Sequence, residues 1–159
     1  MISDGARRGL ILQGFACDED PKIADAARWL RFTPAVSTLC IIAGTVLRAP
    51  GVLWAFAVVA AIGSLGWNAF DQIFNSVVRP WLHAPPLPRN PAPRRFAMAV
   101  AAAWSAVAGL LLWLGPVWAG LTAGAALAVA GGTVATTHFC LGSWMYRRLR
   151  GDRPRNVAT

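Results

Sequence analysis

Four long stretches without an Asp, Glu, Lys or Arg most constrain what this chain can fold into. They run over residues 32–47, 52–67, 96–114 and 117–146. A transmembrane helix needs roughly 20 apolar residues, so each stretch favours a helix that crosses a membrane. Only 14% of the 159 residues are charged, whereas soluble domains average about 25%. We therefore predict an all-α integral membrane protein with four transmembrane helices.

The breaks between these stretches divide the chain into two membrane hairpins. Proline and glycine end the helical pattern at Pro50–Gly51 and again at Gly115–Pro116. We predict an N-terminal segment over 1–31, a first membrane hairpin over 32–67, a connection over 68–95, a second membrane hairpin over 96–146, and a basic tail over 147–159.

The connection between the hairpins has two parts of different composition. Apolar residues recur at three- and four-residue spacing over 70–81, which predicts an amphipathic helix lying in the membrane interface. Prolines at 80, 85, 86, 88, 91 and 93 follow, and this density predicts an extended, polyproline-like strap. The connection is thus expected to join the hairpins at one face of the membrane.

The positive charges indicate the orientation in the membrane. The N-terminal segment, the connection and the tail hold every Arg and Lys except Arg48, and the turn at 115–116 holds none. By the positive-inside rule, both termini and the connection are expected in the cytoplasm. The apolar stretch at 9–12 is shorter than the core of a secretory signal, so we expect no cleaved leader. The sequence predicts a multi-pass protein of a bacterial inner (cytoplasmic) membrane.

Aromatic and basic side chains gather at the predicted cytoplasmic boundary. Trp and Tyr favour membrane interfaces, and basic side chains there attract anionic lipids. The residues expected to anchor the protein are Trp29, Trp67, Trp144, Tyr146, Arg147 and Arg148. The net charge of +8 is therefore attributed to the lipid bilayer as a partner, and nucleic acid is not expected.

The last apolar stretch contains the candidate chemical groups. Thr137, Cys140 and Ser143 recur at three-residue spacing, as part of a polar stripe on a continuous fourth helix. His138 projects beside the stripe, about 12 Å from the cytoplasmic end of that helix. It could be a neutral imidazole bonded to a neighbouring helix, a proton relay, the single ligand of a haem or chlorophyll-type macrocycle, or a group that activates Cys140.

Cys140 is the candidate reactive thiol, with His138, Ser143 and Thr137 as its neighbours. Nearby Arg147 and Arg148 favour a thiolate, whereas an apolar surrounding disfavours one. The other cysteines, Cys17 and Cys40, stand in an acidic segment and in the middle of the first span. No catalytic residue, metal site or cofactor is predicted, because carboxylate pairs, phosphate-binding loops and metal-ligand spacings are missing from the sequence.

Several short motifs resemble a known family of small bacterial membrane domains, domain of unknown function 4395. They are Arg79-Pro80-x-Leu82, Pro93-x-Arg95-Phe96-Ala97 and Phe139-Cys140-Leu141-Gly142-x-x-x-Tyr146, within a resemblance that covers about residues 25–148. The resemblance implies a multi-span membrane protein, sometimes linked with rhodanese- or thioredoxin-like partners, and no established reaction. Family members often carry a second cysteine where this chain has Ser143, which argues against a dithiol role.

The sequence favours a non-enzymatic membrane protein over an enzyme. Small size, small-residue helix faces and many tryptophans suggest a scaffold or accessory subunit with a membrane-protein partner. The alternatives are a thiol- or sulfur-handling membrane protein that uses Cys140, and a protein that binds a cofactor through His138.

Overall fold

The computed structural model describes residues 3–15 and 21–151, and this part of the chain consists of helices and their connections. Cys17 and the tail beyond residue 151 lie outside it. The helices are α1 (Asp4–Leu12), α2 (Pro21–Ala26), a 3₁₀ turn (Trp29–Arg31), α3 (Phe32–Val46), α4 (Pro50–Ser64), α5 (Ala69–Ile73), a π-helical turn (Phe74–Val78), α6 (Arg79–Leu82), α7 (Ala92–Leu114), α8 (Val117–Thr137) and α9 (Leu141–Arg150). The predicted all-α fold is confirmed.

Three of the described helical segments are long and apolar enough to cross a membrane. They are Trp29–Val46, Ala92–Leu114 and Val117–Thr137. α4 is shorter, and it qualifies only together with the helix Ala69–Leu82, from which it is bent by 83°. The described chain therefore has three to four candidate membrane-spanning helices.

The four longest helices form one bundle with an apolar core. α3 packs on α4 and α8, and α7 packs on α4 and α8. Small residues on α8 bring it close to α3, because a Cβ at Gly131 would lie only 2.5 Å from Thr38 Oγ1. The buried core residues are Ile41, Leu53, Phe56, Ala60, Ala102, Ala108 and Leu127. We call the end where α3 and α7 begin the basic end, since Arg31 and Arg94 lie there.

A second apolar core lies outside the bundle, at the basic end. Its buried residues are Leu10, Phe15, Ile23, Ala27, Leu30, Phe74, Ala84 and Leu87, and we call this cluster the cap. Phe74 is fully buried at its centre and contacts the rings of Trp29 and Phe32, with centroids 5.5 and 5.1 Å away. The cap packs α1, the 3₁₀ turn, the helix Ala69–Leu82 and the strap that follows this helix against one another.

The segment between α4 and α7 consists of one helix followed by chain without helix. α5, the π-helical turn and α6 run without a break from Ala69 to Leu82. The helix ends at His83, which has a left-handed backbone (φ 48°), and residues 84–91 carry no helix before α7 begins. Ile73, Val77 and Trp81 are exposed along one face of this helix at four-residue spacing, which leaves an apolar stripe on its surface.

The predicted continuous helix through residue 146 is wrong. α8 ends at Thr137, His138 adopts a left-handed conformation (φ 60°), and α9 begins only at Leu141. The Thr137 hydroxyl accepts a hydrogen bond from the Phe139 amide at 3.1 Å, which supports the turn. The predicted polar stripe is therefore divided, because Thr137 stays exposed on α8 while Cys140 and Ser143 are buried beyond the turn.

Candidate functional site

An elongated cavity of about 170 Å³ lies among α3, α7, α8 and α9, with two lining residues from α4. Its wall is mostly apolar, and the polar side chains among its lining residues stand toward the basic end. The lining residues are Gln13, Thr33, Pro34, Ser37, Ile41, Phe56, Ala60, Arg94, Ala97, Met98, Val100, Ala101, Trp104, Leu127, Ala130, Gly131, Val134, Cys140, Leu141, Gly142 and Met145. An apolar pocket with a few convergent polar groups is the usual form of a small-molecule site.

Arg94 is the charged side chain of this cavity. It lies in the first turn of α7, where Pro91 and Pro93 set the start of the helix. The side chain is 6% exposed, and both terminal nitrogens, Nη1 and Nη2, are buried without a hydrogen-bond partner. Its guanidinium carbon lies 5.5 Å from the centre of the Phe15 ring. A buried cation that keeps unpaired donors is costly unless a ligand or water satisfies them.

A buried carboxylate stands near Arg94 and fixes the surrounding backbone. Asp71, at the start of α5, accepts hydrogen bonds from Thr33 Oγ1 and, at 2.6 Å, from Asn90 Nδ2. These bonds connect α5 with α3 and with the strap that leads into α7. Asp71 and Arg94 interact electrostatically. The carboxylate thus has two neutral donors of its own and balances part of the positive charge at the basic end.

His138 is the C-cap residue of α8, so it does not project from the side of a continuous helix. It is 3% exposed, its Nε2 accepts a hydrogen bond from Arg31 Nε at 2.9 Å, and its carbonyl accepts one from Gln13 Nε2 at 2.7 Å. Burial, together with the positive charges of Arg31 and Arg94, lowers the pKa of His138 to about 4. The imidazole is therefore neutral at pH 7, and a metal could reach Nε2 only if Arg31 moved away.

Cys140 is brought to the cavity, while Thr137 and Ser143 are not among its lining residues. Cys140 is 7% exposed at the N-terminal cap of α9, lines the cavity and interacts electrostatically with Arg94. Ser143 is fully buried, with a hydroxyl that has no hydrogen-bond partner in the described structure. The expected cationic neighbours of the thiol have other contacts: Arg147 binds the carbonyls of α1, and Arg148 stacks on Trp144.

The residues expected to anchor the protein fall into two groups. Trp67 (54% exposed) and Trp144 (39%) are on the surface, where the latter receives Arg148 over its ring. Trp29 instead packs into the cap against Phe74. The two other members, Tyr146 and Arg147, make internal contacts, Tyr146 with the ring of Phe96 and Arg147 with the carbonyls of Ile11 and Leu12.

Sequence reasoning missed Arg94, Asp71 and Gln13. Arg94 belongs to a run of basic residues that looks like a solvated flank, and only the geometry shows that it turns inward. Asp71 carried a signal, because it is the sole acidic residue between Asp25 and Asp152. A lone carboxylate beside an apolar helix requires partners when it is buried.

The described residues offer no ready metal centre. Within 3–15 and 21–151, no group of three or more His, Cys, Asp or Glu side chains could hold a metal ion. The cavity instead offers groups that can bind a ligand: an apolar wall, one unpaired guanidinium and one thiol. Such a set of groups favours a ligand with a negative charge.

The long apolar helices define the class as a small helical membrane protein. A family profile, domain of unknown function DUF4395, matches residues 27–150. The chain therefore belongs to this family, which confirms the resemblance carried by its short motifs. Comparison with curated proteins and with solved structures gave no match.

Proposed function

We propose that this protein is a non-enzymatic, multi-pass protein of the bacterial inner membrane that binds a small anionic ligand at Arg94. In this proposal all four long helices cross the membrane as two hairpins, with both termini and the basic end in the cytoplasm. The concentration of Arg and Lys outside the 115–116 turn supports the orientation. The exposed stripe of Ile73, Val77 and Trp81 supports a connecting helix that lies in the interface.

The buried, unpaired guanidinium of Arg94 is the observation that carries the ligand proposal. A buried cation loses several kcal/mol of solvation, on the order of that found for other buried ions. The Phe15 ring recovers a small part of this. An anion between Nη1 and Nη2 would recover much more, since hydrogen bonds between charged groups are among the strongest in proteins. Without such a ligand, an arginine is a poor choice for this position.

A panel of carboxylates, from acetate to decanoate, tests the anion site on the purified full chain. We expect members of the panel to raise the melting temperature of the parent protein and to leave Arg94→Gln unchanged. Arg95→Gln is the matched control, because Arg95 is the next residue on α7 but bonds the exposed carbonyl of Ser64. If no carboxylate distinguishes Arg94→Gln from the parent, the proposed function is wrong.

We further propose that the ligand-binding protein acts as an accessory subunit of a larger membrane complex. Exposed apolar side chains on its helices give it surfaces on which another membrane protein can pack, and the exposed Arg148 and Arg150 of α9 would contact anionic lipids. Affinity purification in a mild detergent should recover a stoichiometric membrane partner. A preparation that runs as a clean monomer would contradict this part of the proposal.

A thiol function is the second candidate, favoured by the position of Cys140 in the same cavity as Arg94. An anion held at Arg94 would lie beside the sulfur. A membrane-permeant maleimide should then label Cys140 in the parent, and decanoate or acetate should slow the labelling. In Cys140→Ala, maleimide labelling of Cys40, in the middle of α3, is the internal comparison. An unlabelled Cys140, with unchanged sulfur-dependent growth of Cys140→Ala, would remove this candidate.

A further inference from the structure

We propose that the ligand of Arg94 is a single-chain lipophilic carboxylic acid, a fatty acid, that enters the cavity sideways from the bilayer. This inference rests on the anion site proposed above and adds the chemical class of the ligand and its route. Four properties of the cavity support this proposal: its long shape, its largely apolar wall, its single charged side chain and its opening on the side of the bundle.

The cavity is long and narrow along the helix axes. On α7 its lining residues run from Arg94 through Ala97 and Ala101 to Trp104, at spacings that keep them on one face of the helix. Ten residues of helix extend about 15 Å at 1.5 Å per residue. α3 contributes a parallel edge from Thr33 to Ile41. A space of this form suits an extended acyl chain better than a compact polar molecule.

The wall divides into a charged end and an apolar length. Arg94 stands at the basic end, with the polar side chains of Gln13 and Thr33 nearby in the lining. Ser37 and Cys140 are the other polar side chains of the lining, and the rest of the wall is formed by Ala, Val, Leu, Ile, Phe, Met, Trp and Pro side chains, together with Gly131 and Gly142. This arrangement matches a ligand that has its charged group at one end and hydrocarbon along most of its length. A longer chain fills more of the apolar wall, so chain length should govern affinity.

The charge of the site matches a single negative charge. Among the described residues that line the cavity, Arg94 bears the only formal charge. The planar guanidinium fork pairs with a carboxylate through two parallel hydrogen bonds. A doubly charged phosphate would keep an unbalanced charge in apolar surroundings, close to the Asp71 carboxylate. The site therefore favours a monoanion.

The cavity opens at an apolar surface of the bundle. Trp104, Leu141 and Met145 line it and are also 41%, 49% and 40% exposed. At the basic end, Gln13 bonds the His138 carbonyl and Phe15 lies over Arg94. The N-terminal segment thus covers Arg94, while the exposed side chains of Trp104, Leu141 and Met145 flank the cavity on the side of the bundle. A ligand dissolved in the bilayer meets the open side directly.

Binding to the full chain in neutral phosphatidylcholine nanodiscs tests the inference, with radiolabelled decanoate, decanol and acetate as probes. We expect decanoate to bind at least tenfold more tightly than acetate or decanol. Arg94→Gln should lower decanoate affinity at least tenfold, and Arg95→Gln should keep the parent value. Arg94→Lys retains the positive charge without the planar guanidinium fork. Its decanoate affinity should therefore lie between those of Arg94→Gln and Arg95→Gln.

A variant that fills the apolar length separates the chain from the headgroup. Ala101→Phe places a large ring in the cavity wall, whereas Ala103→Phe on the same helix is exposed. We expect Ala101→Phe to lose decanoate binding and keep Arg94-dependent acetate binding, and Ala103→Phe to bind both as the parent does. Since acetate binding reports a folded site, loss of decanoate alone cannot come from misfolding.

The remaining outcomes distinguish the two proposals. If acetate binds as tightly as decanoate and both depend on Arg94, the fatty-acid inference is overturned while the anion site stands. If decanol matches decanoate, or Arg94→Gln binds decanoate normally, the cavity is an apolar groove and both proposals fail. Failure of every probe to bind overturns both as well.

Discussion

Gly9 sets the distance between α1 and the left-handed turn that ends α8. A Cβ at this position would lie 2.8 Å from the carbonyl carbon and oxygen of His138, closer than carbon atoms approach without repulsion. Those contacts are backbone, which cannot rotate away as a side chain can. A glycine here thus serves close packing, even though glycine ordinarily weakens a helix by about 0.5–1 kcal/mol relative to alanine.

We predict that Gly9→Ala destabilises the docking of α1 by about 1–3 kcal/mol, as overpacking does in other proteins. Gly5→Ala in the same helix is the control, because a Cβ there meets nothing within 4 Å. It should be neutral or slightly stabilising. The melting temperature in mild detergent measures both, and an equal response of the two variants would contradict the role assigned to Gly9.

The neutral, buried imidazole of His138 predicts a loss of stability in acid. Its pKa is about 4 in the folded protein and about 6.5 in an unfolded chain. Between these values the unfolded state binds the extra proton, so stability falls as the pH decreases from about 6.5 to about 4, by on the order of 2–3 kcal/mol. Above pH 6.5 this group contributes no pH dependence.

Substitution identifies the source of that acid sensitivity. His138→Asn should reduce the loss of melting temperature between pH 6.5 and pH 4.5, because asparagine tolerates the left-handed backbone and does not titrate. His83→Asn is matched to it, since His83 also ends a helix with a left-handed backbone (φ 48°), and it should retain the parent's acid dependence. An unchanged pH profile in His138→Asn would show that another group is responsible.

At the scale of elements, Asp71 joins three pieces of chain that the sequence separates widely. It binds Thr33 at the start of α3 and Asn90 at the end of the strap. Both partners are neutral donors, so the carboxylate is held by hydrogen bonds in a buried place. The direction in which α7 begins, and with it the position of Arg94, depends on these bonds.

We predict that Asp71→Asn lowers the free energy of unfolding by about 1–3 kcal/mol, the usual cost of an unsatisfied buried partner. Asn90→Asp should be at least as harmful, because it places two carboxylates together. The double variant Asp71→Asn with Asn90→Asp exchanges the donor and acceptor and should recover part of the loss. Additive effects in this double-mutant cycle would show that the two side chains are not coupled.

The turn between α8 and α9 shows why the end of α8 could not be predicted from the sequence. The stretch from Val117 to Tyr146 has no Asp, Glu, Lys or Arg and no proline, so local pattern favours one helix. The break is stabilised by Gln13 and Gly9, more than 120 positions earlier in the chain. Local propensity carries no information about such contacts. By contrast, the breaks at Pro50 and Pro116 were predictable, because proline enforces them locally.

At the scale of the whole molecule, hydropathy was sufficient to predict an all-helical protein with three to four candidate membrane-spanning helices. It could not predict the cavity, which exists only where α3, α7, α8 and α9 meet. Nor could it show that Arg94 turns inward while the adjacent Arg95 bonds an exposed carbonyl. Of the residues predicted from the sequence as a possible reactive group or its neighbours, only Cys140 lines the cavity, while His138 and Ser143 are buried in the same short segment.

The proposed four-span topology predicts which side of the membrane each turn faces. In a chain with Cys17, Cys40 and Cys140 replaced, a membrane-impermeant maleimide should label Ala49→Cys and Pro116→Cys from the periplasmic side. It should label Ser3→Cys and Arg150→Cys only in inverted vesicles. Labelling of positions 49 and 116 from opposite sides would exclude two parallel hairpins, and labelling of all four from one side would show that α3 and α8 do not cross the membrane.

The contacts of α1 also have a consequence for biosynthesis. Gln13 bonds a residue 125 positions later, and Arg147 returns to carbonyls 135 and 136 positions earlier. α1 therefore leaves the ribosome long before the segment against which it docks has been translated. Until α1 docks, Arg94 lacks its cover from the N-terminal segment, so a lipid-soluble acid could be loaded during membrane insertion. A released chain that ends at residue 137 should hold a bundle that is still open at this end.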